Sequence, residues 1–136
     1  MPAFDGQAVA ARFCDYSYLI LEVNGEIQGL LGWDICNLVA CLADLQIADP
    51  ARWAECAAPL IREAEVEAQA LRGEVAILFL PADLPTAGAT LEAKGYEPAE
   101  IGALAAPWRE AAKEHIAEGQ RLWVKRLGNA RTEENG

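Results

Sequence analysis

The segment from Glu74 to Tyr96 fixes an order of elements that few folds accommodate. An apolar run of strand length, Glu74–Leu80, passes through a proline-rich turn into a short alanine-rich helix over Thr86–Lys94. The helix stops at Gly95, and an aromatic, Tyr96, follows at once. Glycine suits that stop because it enters the left-handed region without a Cβ clash. Upstream, Tyr16–Val23 reads as a strand from its β-branched and aromatic content. Asn24-Gly25 then gives a strong hairpin signal, since both central residues of a type I′ turn need positive φ. Ile27–Ile35 returns, with Ile27, Gly29, Leu31 and Trp33 on one face and Gln28, Leu30, Gly32 and Asp34 on the other. Its glycines predict bulging or close backbone approach.

Leu38–Ile47 is apolar except at Asp44 and Gln46, which predicts a central strand. Ala51–Arg72 is helical by period, with Trp53, Ala57, Leu60, Ala64, Ala68 and Leu71 as the buried stripe and Arg62, Glu65 and Gln69 on the solvated side. Pro59 either kinks this helix or starts it, because an interior proline costs about 3 kcal/mol. Gly73 is placed to cap its end. Asp5–Phe13 predicts a short helix, Tyr96–Ile101 a brief strand, Pro107–Glu118 a helix and Arg121–Leu127 a last strand. Residues 1–127 make one domain, and 128–136 are a polar, flexible tail.

Composition narrows the partners. With 136 residues, 53% of them hydrophobic and 24% charged, the chain reads as globular. Its net charge of −10 repels phosphate backbones, so nucleic acid is not expected, and an amine suits the field better. No run is long enough to span a membrane, and the N-terminus lacks a basic region followed by an apolar core, so the expected location is cytoplasmic. Cys14, Cys36, Cys41 and Cys56 form no close-spaced pair, and His115 lies far along the chain from them. They read as reduced, metal-free thiols.

The order hairpin, strand, long helix, strand, short helix, strand, strand resembles the GNAT family of acyl-CoA N-acyltransferases. The local points of likeness are Leu45-Gln46-Ile47 before Pro50, Leu60-Ile61, Ala76–Leu80, and Ala87 with Gly95-Tyr96. The likeness runs from about Tyr18 to Leu127. It implies an α/β fold, a mixed central sheet of about five or six strands flanked by helices. It also implies that the strand ending near Ile47 splays from its neighbour to admit the pantetheine arm of coenzyme A. Backbone amides around Leu45 and Ile47 would hold the thioester carbonyl. The family's pyrophosphate loop maps onto Trp53–Ala58, which makes Ala54, Cys56 and Ala58 cofactor-binding positions. No glycine stands there, Glu55 adds negative charge, and Pro59 lacks an N–H.

The family's proton-donating tyrosine falls on Leu91 and its asparagine on Leu84, leaving Asp83 or Tyr96 as substitutes, though Tyr96 also suits the core. Asp44 falls where some members carry a carboxylate that deprotonates the amine. It is either a buried general base or a hydrogen-bonded aspartate at the sheet surface. Glu22 is a weaker candidate on a solvated hairpin strand, and His115 reads as a surface residue. The family's two front helices have no counterpart before Tyr16. Ala103–Gly119, with Trp108, or a second subunit would replace them. Trp33, Trp53 and Trp123 read as core or interface anchors, and a homodimer is expected. The implied function is acetyl-CoA-dependent N-acetyl transfer to a small amine or a protein amino group. The alternative is a non-catalytic GNAT-like regulatory or protein-interaction module that has lost coenzyme A binding.

Overall fold

The computed structural model describes residues 8–13, 16–84 and 87–127; the expected tail, Cys14 and residues 5–7 of the expected first helix lie outside them. Among the described residues, seven strands form one sheet: β1 (Ala8–Phe13), β2 (Tyr16–Val23), β3 (Glu26–Cys36), β4 (Val39–Ile47), β5 (Val75–Pro81), β6 (Glu97–Ala99) and β7 (Gln120–Arg126). In space they run β1-β2-β3-β4-β5-β7-β6. β4 and β5 are parallel, and every other neighbouring pair is antiparallel. α1 (Trp53–Ala70) joins β4 to β5, α2 (Ala87–Ala93) follows β5, and α3 (Ala106–His115) joins β6 to β7.

The sheet is wider than expected because Ala8–Phe13 is a strand, not a helix. It pairs along its whole length with β2, from Ala8↔Leu21 to Phe13↔Tyr16. Val9 and Phe13 are four apart, a spacing that one face of a helix and one face of a strand both satisfy. Periodicity over six residues cannot choose between them. The otherwise open edge of β2, with its unpaired backbone groups, decides.

The Asn24-Gly25 turn has φ +54 and +83, as type I′ requires. A second two-residue turn of the same hand, Asn37-Leu38, joins β3 to β4 at φ +53 and +66. α1 begins at Trp53 after a 3-10 turn over Pro50–Arg52 and runs through Pro59 rather than starting at it. Pro59 leaves the Glu55 carbonyl without its helical donor. The buried stripe of Trp53, Cys56, Ala57, Leu60, Ile61, Ala64 and Ala68 keeps the helix docked regardless. At its end Arg72, at φ +66, takes the left-handed position expected of Gly73. Arg72 N–H bonds Gln69 O and Gly73 N–H bonds Ala68 O, the paired bonds of a Schellman stop. Gly95, at φ +95, ends α2 in the same way as expected, with Tyr96 N–H bonded to Leu91 O.

One sheet face, including Leu19, Leu31, Trp33, Leu42, Leu78 and Leu80, packs under α1 and α2. The other face, with Val39, Cys41, Ala43, Ile77, Phe79 and Leu122, packs with Leu104, Trp108 and Ala112 around α3. Trp33, Trp53 and Trp123 are at most 8% exposed within one chain, so these tryptophans are core residues. Glu65 is buried, contrary to its expected solvated place. Tyr96 Oη donates to its Oε2 at 2.7 Å and Lys125 Nζ to its Oε1 at 2.9 Å.

Candidate functional site

β4 and β5 pair only over Val39–Leu42 against Val75–Leu78. Both strands continue, to Ile47 and Pro81, without pairing to each other again. The sheet therefore opens along this seam, and β4 beyond Leu42 turns an unpaired backbone edge toward the gap.

The other edge of β4 carries a bulge. Gly32 pairs with Ala43 and Leu30 with Gln46, so Leu31 alone opposes Asp44 and Leu45. Asp44 is left-handed at φ +57, a conformation that Asp and Asn tolerate better than most side chains. The extra residue changes which face follows. Ala40, Leu42, Leu45 and Ile47 all pack on the α1 side, whereas strict alternation would send the last two to the opposite face.

Asp44 itself is exposed rather than buried. Its Oδ2 accepts a 2.7 Å hydrogen bond from Tyr18 Oη, across the intervening strand β3. Gly32 makes that reach possible. A Cβ there would lie 3.0 Å from Tyr18 Cε2 and 3.2 Å from Cζ. Farther along β3 and β4 is a cleft of about 180 Å³ lined by Ile27, Gln28, Gly29, Leu30, Gln46, Ile47 and Ala48, and by neither member of this pair.

Solved structures that superpose on this chain include acetyltransferases. A GNAT-family acetyltransferase from Staphylococcus aureus superposes with TM-score 0.68 at 13% identity, over 82% of this chain and 68% of that one. The PaiA N-acetyltransferase of Thermoplasma acidophilum, solved in complex with coenzyme A, gives 0.62 at 12% identity, over 82% and 61%. The ribosomal-protein-S18-alanine N-acetyltransferase of Escherichia coli gives 0.62 at 15% identity, over 87% and 73%. This is the GNAT fold. The likeness is one of structure: no family model matches the sequence, and no curated protein matches it significantly. The chain spans about three fifths of the Thermoplasma enzyme's length.

The two halves of a GNAT cofactor site fare differently here. Along the β4/β5 gap, half-buried Leu45 and Ile47 stand on backbone that β5 does not pair. The start of α1 does not suit pyrophosphate. Residues 53–58 are helix, not loop; Ala54 is exposed, Ala58 half-buried, and the Cys56 side chain is in the core. The donors just before the helix are already used: Ala51 N–H bonds Asp49 Oδ1 at 3.0 Å, Arg52 N–H bonds Asp49 O, and Trp53 N–H bonds Pro50 O. Asp49 thus places a carboxylate where a phosphate would need to approach.

The substitute proton donors do not gather at the gap. Leu91 is fully buried, and Leu84 packs against the same core. Tyr96 is buried against Glu65; burial first, then the Glu65 charge, pushes its phenol well above the usual range. Asp83 is exposed. Glu22, expected to be solvated, is 2% exposed, and its Oε1 has no hydrogen-bond partner. His115 is half-buried, its Nε2 4.0 Å from Asp34 Oδ2. Asp34 pairs with Cys41 in the closed half of the sheet, away from the gap. The Cys41 thiol is pushed up to about 12, by burial first and then by Asp34, so it is a packing group and not a nucleophile. Sequence reasoning did not single out Tyr18, but the glycines of Ile27–Ile35 did predict bulging or close approach, and the register shift lies between Leu30 and Gly32.

Proposed function

We propose that the chain transfers an acyl group from an acyl-CoA thioester to a primary amine at the open end of the β4/β5 seam. One observation carries the reading: the bulge that lets β4 keep Leu45 and Ile47 in the core also leaves an exposed carboxylate, Asp44, on β4 two residues beyond its last pair with β5, at Leu42. The β4 backbone around Leu45 and Ile47 would hold the donor's pantetheine arm. The bound donor supplies a thioester carbonyl open to attack by nitrogen. Near neutral pH an alkylamine is an ammonium ion without a free lone pair. Asp44 Oδ1 would take its proton, and the neutral nitrogen would then be held beside the gap.

Acetyl transfer to a primary amine, followed by mass spectrometry, tests this. Asp44→Asn should lower kcat about a hundredfold, the low end for a lost general base, with donor binding unchanged. Acetyl-CoA should also raise the melting temperature, by the equivalent of about 2.7 kcal/mol at a hundredfold excess over Kd. A second reading is a GNAT-like interaction module without coenzyme A. The Asp49 carboxylate at the start of α1 favours it. No thermal shift at millimolar acetyl-CoA, together with no transfer, would decide for that module.

A further inference from the structure

A larger cleft, of about 380 Å³, lies away from the gap, where the start of α3 meets β6 and β7. Its walls include Glu97 and Ala99 of β6, Val124 and Arg126 of β7, Trp108 of α3, and Leu104 just before that helix. Strand pairing explains the placement. Leu122 is in the α3-side core, so alternation carries Val124 and Arg126 to the same side, and Glu97, opposite Val124, joins them. Arg126 pairs with Val75, at the closed end of the β4/β5 seam. None of the residues lining this cleft belongs to β4 or β5.

Two opposite charges line the cleft without pairing. Arg126 Cζ stands 5.3 Å from the centroid of the Trp108 ring. That contact occupies the face of the guanidinium and leaves its in-plane fork of N–H donors free. Neither the Arg126 nor the Glu97 side chain has a hydrogen bond or an ion pair among the described residues. The two are diagonal neighbours across β6 and β7, about 7–8 Å apart by ordinary sheet geometry. A simple anion entering the cleft would meet Glu97 and a net charge of −10, and a simple cation would meet Arg126. A compact zwitterion is opposed by neither. A peptide strand gains little here, because β6 has three residues and Pro98 at its centre has no N–H to offer.

We propose that this cleft binds a free α-amino acid with an aliphatic side chain. Arg126 takes its carboxylate as a bidentate pair, Glu97 accepts from its ammonium group, and its side chain lies against Leu104 and Val124. Trp108 positions Arg126 by stacking on the guanidinium. The cleft is near the lower end of the roughly 300–1,000 Å³ usual for ligand pockets, which suits a molecule of this size. The site needs neither the gap nor an acyl donor, so it stands or falls apart from the proposed transfer.

The probe is L-leucine, titrated into the full chain and followed by the indole N–H signal of Trp108 and the amides of residues 97, 99 and 124–126. Saturable shifts at millimolar leucine are expected. 4-Methylpentanoate lacks the ammonium group and 3-methylbutylamine lacks the carboxylate. Each should bind at least about tenfold more weakly, as for loss of a charged hydrogen bond. Arg126 and Glu97 are both exposed, so substituting them leaves the core untouched. Arg126→Gln should weaken leucine binding at least about tenfold. Arg126→Lys keeps the charge but loses the fork, and should weaken it about threefold or more. Glu97→Gln should weaken leucine binding while tightening that of 4-methylpentanoate, so the preference between the two shrinks. Absence of saturable shifts overturns the proposal. So does equal binding by either analogue, or unchanged leucine binding in Arg126→Gln or Glu97→Gln. Shifts confined to residues 43–47 would put the ligand at the gap and overturn it as well.

Discussion

Leu38 sits in the left-handed region at φ +66 with its side chain 42% exposed, and no core contact repays the strain. A left-handed non-glycine residue costs about 1–2 kcal/mol, and glycine's extra unfolded-state entropy returns only part of that. Leu38→Gly should therefore raise the urea midpoint, by about 0.5–1 kcal/mol of stability, with the slope unchanged. This turn also shows what the sequence concealed. Asn24-Gly25 announces its turn through residues chosen for positive φ, whereas Asn37-Leu38 makes the same turn with an apolar residue that reads as strand. Asp44 was legible as a lone carboxylate in an apolar run. Its partner was not, because Tyr18 reaches it across a whole strand and no local spacing records that contact.

At the scale of elements, the start of α1 and the β4/β5 seam offer different things to the donor of the proposed reaction. The preceding turn bonds its own amides to Asp49 and Pro50, while the gap between β4 and β5 stays open. A donor should therefore be held by its arm and not by its nucleotide. Acetyl-CoA and S-acetylpantetheine are expected to bind within about threefold of each other in calorimetry, a difference below 1 kcal/mol. A preference of a hundredfold for acetyl-CoA would mean that phosphate contacts exist elsewhere. Strands with apolar runs and the stripe of α1 were readable, since burial imposes those patterns directly. Pro59 left two readings open, a kink or a start, because local propensity argues against an interior proline; the packing of the stripe on both sides of it overrides that cost, and the helix runs through. β1 was misread for the complementary reason: the edge of β2 supplies what six residues cannot specify.

For the whole molecule, the strand order β1-β2-β3-β4-β5-β7-β6 and the single parallel pair carry the likeness to acetyltransferases, although identities are only 12–15% in the three structures compared. Order and spacing of elements survive in the sequence when site residues do not, which is why the architecture was readable and the chemistry less so. The bulge carries one more consequence. Asp44 is surplus to the ladder, since Leu31 faces two residues where one would do. Deleting Asp44 should let Leu45 step directly after Ala43 and still point toward α1, so every later side chain keeps its face. Deleting Leu42 would instead leave Leu31 and its neighbours facing a vacancy in the core. The shortened chain lacking Asp44 should melt cooperatively with a near-native near-ultraviolet spectrum, while the one lacking Leu42 should not. A protein one residue shorter would then retain the sheet and the gap without the carboxylate, separating what the fold requires from what the site adds.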